Sequence, residues 1–217
     1  PNNGFFLNGH YLDLHGVNVH QDRLHQGWAV SDEDLDEDFS LIITMGANAI
    51  RASHYQHSQR LYDNADRQGM IIWSEQPILK SILPTSAFAQ NAEQQLTEMI
   101  RQNYNHPSII FWGIANEVMN DDATNTLLQR LNDVAHTLDS TRITTLASDL
   151  APSDAVSTHT DTVGYNRYYG WYSGSFDDLA TFLTDTHKSF PTKGFALSEY
   201  GAGASIPRLA DELAQHL

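Results

Sequence analysis

The sequence contains no cysteine among its 217 residues. That excludes disulfides, thiolate metal sites and a cysteine nucleophile, while it fixes no compartment. Basic residues are scarce. Lys and Arg total 12 against 27 Asp and Glu, a formal net charge of −15, which makes nucleic acid or an anionic membrane a poor partner and a neutral substrate easier to accommodate. No apolar run approaches the length needed to span a bilayer. The first residues, PNNGFF, lack the charged and apolar regions of a signal peptide, so cytoplasmic and exported locations both remain open. Neither GxGxxG nor GxxxxGK[ST] occurs, and the 11 histidines form no HExxH and no HxH at a strand end. Nucleotide-phosphate loops and zinc-hydrolase motifs are therefore disfavoured.

Apolar residues make up 41% of the chain and charged residues 18%, a balance that suits one large domain with a substantial core. The most informative stretch is NHPSIIFWGIANE, residues 105–117. Its consecutive apolar positions predict a strand over 108–113 covered on both faces, as in parallel sheets. Asn116 and Glu117 follow that strand. A glutamate after a strand is often just solvated, but α/β folds gather ligands at the carboxyl ends of their strands.

Asn8-Gly9 predicts a hairpin turn between residues 5–7 and 11–14. A first core strand is expected over 12–19, delivering Asn18, His20 and Asp22 into the loop behind it. Ser31 and Asp34 resemble a capping box opening a helix that Gly46 ends. Further strands are expected over 49–53, 70–74, 143–148, 162–165 and 195–198, and helices over 59–68, 88–104, 124–138, 176–187 and 205–217. Strands alternating with helices imply a parallel sheet wound by right-handed crossovers. Seven strands point to an α/β fold of the (β/α)8 TIM-barrel type, with a doubly wound sheet as runner-up. The eighth strand is expected beyond Leu217, making residues 1–217 a C-terminally incomplete barrel without flanking domains. A missing strand would leave a seam between strands one and seven, so self-association is an expectation too.

Glu117 and Glu199 each end a strand, the fourth and the seventh, on one rim of such a barrel. Two carboxyls facing one bound molecule suit retaining glycoside hydrolysis. NHPSIIFWGIANE, NAIRASHY (48–55), NRYYGWY (166–172) and LSEYGAGAS (197–205) together resemble the catalytic barrel of glycoside hydrolase family 2, whose members include β-galactosidases, β-glucuronidases and β-mannosidases. The resemblance implies a cofactor-independent glycosidase acting on a carbohydrate. It makes Glu117 the acid/base, Glu199 the nucleophile, Asn116 the partner of the sugar 2-hydroxyl and Tyr168 a donor to the nucleophile, with Tyr169 and Tyr172 as competitors. Arg51 and His54 would position nucleophile and sugar, and His20 would bind sugar. Against these stand plainer readings: a structural ion pair for Arg51, a loop hydrogen bond for His20, rim packing for Tyr168.

Gln56 stands where the family's motif has proline, which implies a looser turn after strand two. Leu79 and Ser81 occupy positions where some members place magnesium ligands, so no metal is expected. Trp112 reads as core or as the floor of the site. The EYGAGAS continuation is most similar to shorter bacterial β-galactosidases, making a β-galactoside the first expectation. A β-glucuronide or β-mannoside is the alternative within the family, and a carbohydrate-binding or inactive fragment the alternative outside it.

Overall fold

The computed structural model describes residues 4–203. The helix expected over 205–217 lies outside the described residues. A short hairpin opens the chain, β1 (Phe6–Leu7) and β2 (His10–Tyr11), turned by Asn8 and Gly9 with φ of 51° and 81°. Then come β3 (Gly16–Val19), α1 (Asp32–Thr44), β4 (Ala49–Ala52), α2 (Gln59–Gln68), β5 (Ile71–Glu75), α3 (Ser86–Asn103), β6 (Ile109–Asn116), α4 (Asp122–Leu138), β7 (Ile143–Ser148), a 3-10 turn (Ala155–Thr158), β8 (Thr162–Asn166), α5 (Phe176–Ser189) and β9 (Gly194–Glu199).

Strands β3 to β9 form one sheet in chain order, each parallel to its neighbour. Every crossover steps in the same direction, so the sheet curls as a barrel wall and not as a doubly wound layer, which would reverse order. Among the described residues β3 and β9 are its edges. They approach closely enough for the Asn18 side-chain amide to donate to the Ser198 carbonyl at 2.8 Å. Leu96, Ile100, Ile109, Trp112, Leu128 and Leu131 are buried in the core between sheet and helices.

The helix boundaries have local causes. Ser31 Oγ accepts from the Asp34 amide and Asp34 Oδ2 from the Ser31 amide, the reciprocal cap the sequence suggested. Gly69 closes α2 with φ 70°, a conformation that costs a side-chain-bearing residue energy. Helix α3 begins at Ser86, two residues before the expected start, because Thr85 caps it through the Phe88 amide.

Two strands differ from expectation. The first spans only Gly16–Val19, since Asn48 takes over the hydrogen bonding before it: its Oδ1 accepts from the His15 amide at 2.8 Å and its Nδ2 donates to the Asp13 carbonyl at 2.7 Å. The fourth runs past Gly113 to Asn116. Ile114 and Ala115 are fully buried and Asn116 pairs with Ala147, so Glu117 sits directly at the end of the strand.

Rings fill the barrel interior from below. Phe5, beside the hairpin, meets Phe111 at 5.8 Å, Phe111 meets Trp73 at 6.3 Å, and the Arg51 guanidinium lies 5.0 Å from the Trp73 ring. Gly113 and Gly164 make room for this indole. A Cβ at Gly164 would come within 2.7 Å of Trp73, and one at Gly113 would strike its Nε1 outright.

Candidate active site

The carboxyl ends of β4, β5, β6, β8 and β9 converge on one hydrogen-bonded network. At its centre is Arg51 of β4, 5% exposed. Its Nε donates to Glu75 Oε1 at 2.9 Å, Nη1 to Glu199 Oε1 at 2.6 Å, and Nη2 to Asn116 Oδ1 at 2.7 Å and Glu75 Oε2 at 3.1 Å. A planar guanidinium suits such a junction because its donors form a rigid fork. The structural ion pair and the positioning of Glu199 are thus the same arrangement, with Glu75 as the buried counter-charge.

Glu199, the last residue of β9, has both oxygens engaged: Arg51 holds Oε1, and the Tyr168 hydroxyl donates to Oε2 at 2.6 Å. Burial alone would raise its pKa. The bonds from Tyr168 and Arg51, with His54 adding to them, outweigh that and hold it below the ordinary 4.5. Burial, and then the neighbouring Glu199, push the Tyr168 hydroxyl up, so it remains a donor. Of the competing aromatics, Tyr169 turns onto Phe182 of α5 at 6.1 Å, while Tyr172 stands edge-on to Tyr168 at 5.1 Å and is largely exposed.

Glu117 adopts φ 49° and its amide donates to the Ala147 carbonyl at 2.8 Å. Its Oε1 accepts from Asn166 Nδ2 at 2.8 Å, and its Oε2 pairs with Lys80. Asn166 Oδ1 accepts from Ser198 Oγ at 2.7 Å. The two glutamates are therefore joined through Asn166, Asn116 and Arg51, and the carboxylates of both raise the Tyr168 pKa.

His54 Nδ1 lies 3.0 Å from Glu75 Oε2 and 3.2 Å from Arg51 Nη2, and its Nε2 lies 4.0 Å from Glu199 Oε1. His20 bonds the Tyr55 hydroxyl at 3.3 Å and packs against the His54 ring at 5.2 Å. It combines the loop hydrogen bond with a place at the edge of the network. Trp112 is not the floor. It is fully buried against α4, its Nε1 donating to Asp139 Oδ2 at 3.0 Å, and Trp73 fills the interior instead. Gln56, where a proline was expected, ties its loop to α3 through Gln102 at 2.8 Å.

The chain matches "Glycosyl hydrolases family 2, TIM barrel domain" over residues 1–208. It belongs to glycoside hydrolase family 2. A β-glucuronidase of Bacteroides fragilis is 43% identical over 99% of this chain, which spans 32% of that protein. Among solved structures, the FMN-binding β-glucuronidase from Facaelibacterium prausnitzii L2-6 superimposes with a TM-score of 0.93 at 36% identity, covering 97% of this chain and 33% of the other. A putative β-galactosidase from Bacteroides fragilis gives 0.92 at 37% identity, covering 97% and 31%. The family 2 barrel is thus about a third of the length of these relatives.

Three residues of this family 2 site went unassigned in the sequence. Asn166 sat inside a recognised motif, and its place at the end of β8 was the available signal. Asp149 directly follows β7, while Lys80 lies in a loop with no periodicity to mark it. Lys80 reaches Glu117 because the loop after β5 folds back along β6, with the Lys80 amide donating to the Asn116 carbonyl at 3.2 Å and the Met119 amide to the Lys80 carbonyl at 3.0 Å, and there its ammonium meets Asp149 at 3.4 Å.

Proposed function

We propose that this barrel is the catalytic unit of a retaining β-glycosidase acting on β-glucuronides. The observation that carries the mechanism is the different setting of the two glutamates. Glu199 is held as a carboxylate by two donors, as a nucleophile requires. Glu117 stands at the end of β6, three strands along the sheet from β9, and is linked to Glu199 through Asn166, Asn116 and Arg51.

In the first step a Glu199 oxygen attacks the anomeric carbon. The bond to the leaving oxygen breaks, and that oxygen takes a proton from Glu117. In the second, Glu117 takes a proton from water as the water oxygen attacks the same carbon, releasing Glu199. The Asn116 carbonyl oxygen is engaged by Arg51, which orients the side-chain amide towards a sugar hydroxyl. His54 Nε2 and the His20 ring edge the sugar's position.

The β-galactoside expected from EYGAGAS gives way to the β-glucuronide because the more similar curated relatives are named β-glucuronidases. The 37%-identical putative β-galactosidase keeps β-galactosides as the second reading. The test is turnover of matched chromogenic β-glucuronide, β-galactoside and β-mannoside by the full-length protein, with the anomer of the first product followed by NMR. The β-glucuronide is expected to be cleaved fastest, with a β-anomeric product, and Glu199→Gln to lose at least about a thousandfold in kcat. An α-anomeric first product, or activity surviving Glu199→Gln, removes the mechanism; faster cleavage of a galactoside removes the specificity. A carbohydrate-binding module would turn over none of the three.

A further inference from the structure

Lys80 is an unusual neighbour for a residue cast as a proton donor. Both Glu117 oxygens already accept from nitrogen donors, Oε1 from Asn166 and Oε2 from Lys80. A carboxyl that is to protonate a leaving oxygen must turn one oxygen, with its proton, towards that atom. Asn166 belongs to the side of Glu199, because its own Oδ1 is bonded by Ser198, the residue before the nucleophile. Oε1 is thus tied through Asn166 to Ser198 of β9, while Oε2 meets the exposed Lys80, which makes Oε2 the oxygen open to exchange with an incoming group.

The other two cations here are differently placed. Arg51 is buried and bonded through every nitrogen, and Arg167 is held on the backbone by the Asn166 and Leu150 carbonyls. Lys80 is 63% exposed in its side chain, and among the described residues its ammonium meets Asp149 Oδ2, at 3.4 Å, besides Glu117. Its backbone is anchored by hydrogen bonds to β6 and the loop behind it, with φ 56°. A fixed base thus carries an exposed ammonium. Glu117 and then Asp149 keep that ammonium charged.

We propose that Lys80 forms a leaving-group subsite for glycosides whose aglycone carries an anionic group, a carboxylate or sulfate, close to the glycosidic oxygen. The anion takes the ammonium from Glu117 Oε2, and that freed oxygen takes up a proton from solvent and delivers it to the leaving glycosidic oxygen. A neutral aglycone has nothing to exchange for Lys80 and leaves the pair in place. The same contact therefore acts as a binding determinant for one class of substrate and as a brake on the other. The proposal rests on Glu117 being the acid/base.

The test compares 3-carboxyphenyl and 3-carbamoylphenyl β-glucuronides, alike in shape and differing in charge, on the full-length protein and on Lys80→Met. The wild type is expected to favour the carboxylate in kcat/KM by about tenfold, the size of one charge-assisted bond. The ratio should shrink at high salt and fall to about one in Lys80→Met, with Lys80→Arg retaining part of it. The ratio is internal to each variant, so a change in folded fraction does not alter it. A wild-type ratio near or below one, or an unchanged ratio in Lys80→Met, overturns the subsite while leaving the glycosidase reading intact. No turnover of either compound by the wild type, nor of a β-galactoside pair, overturns both.

Discussion

Glu199 shows how a single carboxyl can be buried and stay ionised. Two short charge-assisted bonds replace the water it loses, and such bonds contribute about 1.5–3 kcal/mol each. Tyr168→Phe removes one of them without changing the ring. Its kcat/KM should fall by roughly 10- to 100-fold, and the acidic limb of its pH profile should move upwards. The sign follows from the shift: the folded pKa of Glu199 is depressed, so the proposed nucleophile is in its active form down to that value, and losing a donor should end activity at a higher pH. A Tyr168→Phe profile superimposable on the wild type would contradict the assignment. At this scale the site was largely legible, because Glu117, Glu199, Asn116, Arg51, His54 and Tyr168 lie in motifs at strand ends and meet in one network. Lys80 was not, since nothing in a run such as PILKS says that its ammonium will reach a residue 37 positions away.

Between elements, the junction of α4, β6 and β7 depends on one buried acid. Asp139, at the end of α4, accepts from Trp112 of β6, from the amide and hydroxyl of Thr141, and from Arg142 at 2.6 Å. Arg142 in turn bonds the Ile109, Tyr104 and His106 carbonyls. Burial would raise the Asp139 pKa, but these donors overcome it and hold it at about 2 against an ordinary 3.8. The stability it adds is complete above 3.8 and is lost as pH falls through about 2. Asp139→Ala leaves Arg142 without its counter-charge and should lower the unfolding free energy at neutral pH by about 3 kcal/mol, measured by urea denaturation. A loss below about 1 kcal/mol would show the cluster to be incidental. The sequence left Trp112 between core and floor, because an indole–carboxylate bond between strand and helix has no periodic signature that would decide it. Helix faces and strand alternation were legible because they recur. The shortened first strand was not, because a lone asparagine side chain replaced its ladder.

For the whole molecule, the seam decides behaviour. Among the described residues β3 and β9 have a strand neighbour on one side each, and such edges are ones that neighbouring copies can extend. The polypeptide of residues 1–217, prepared alone, should therefore self-associate in a concentration-dependent manner in light scattering, and hydrogen exchange should be faster in β9 than in β6, which is paired on both sides. A monodisperse monomer with β9 protected like β6 would contradict this. The order of the seven strands was legible from alternation alone, and their closing curvature follows from that order.

The side chain of Asn18 lies across this opening and has already claimed the Ser198 carbonyl. Any polypeptide segment that inserts there meets an acceptor in use, and completing the ring becomes a partner exchange at one oxygen next to Glu199. Occupancy of the gap would thus be felt at Glu199 one residue away, making wall and reaction centre sensitive to each other through a single amide.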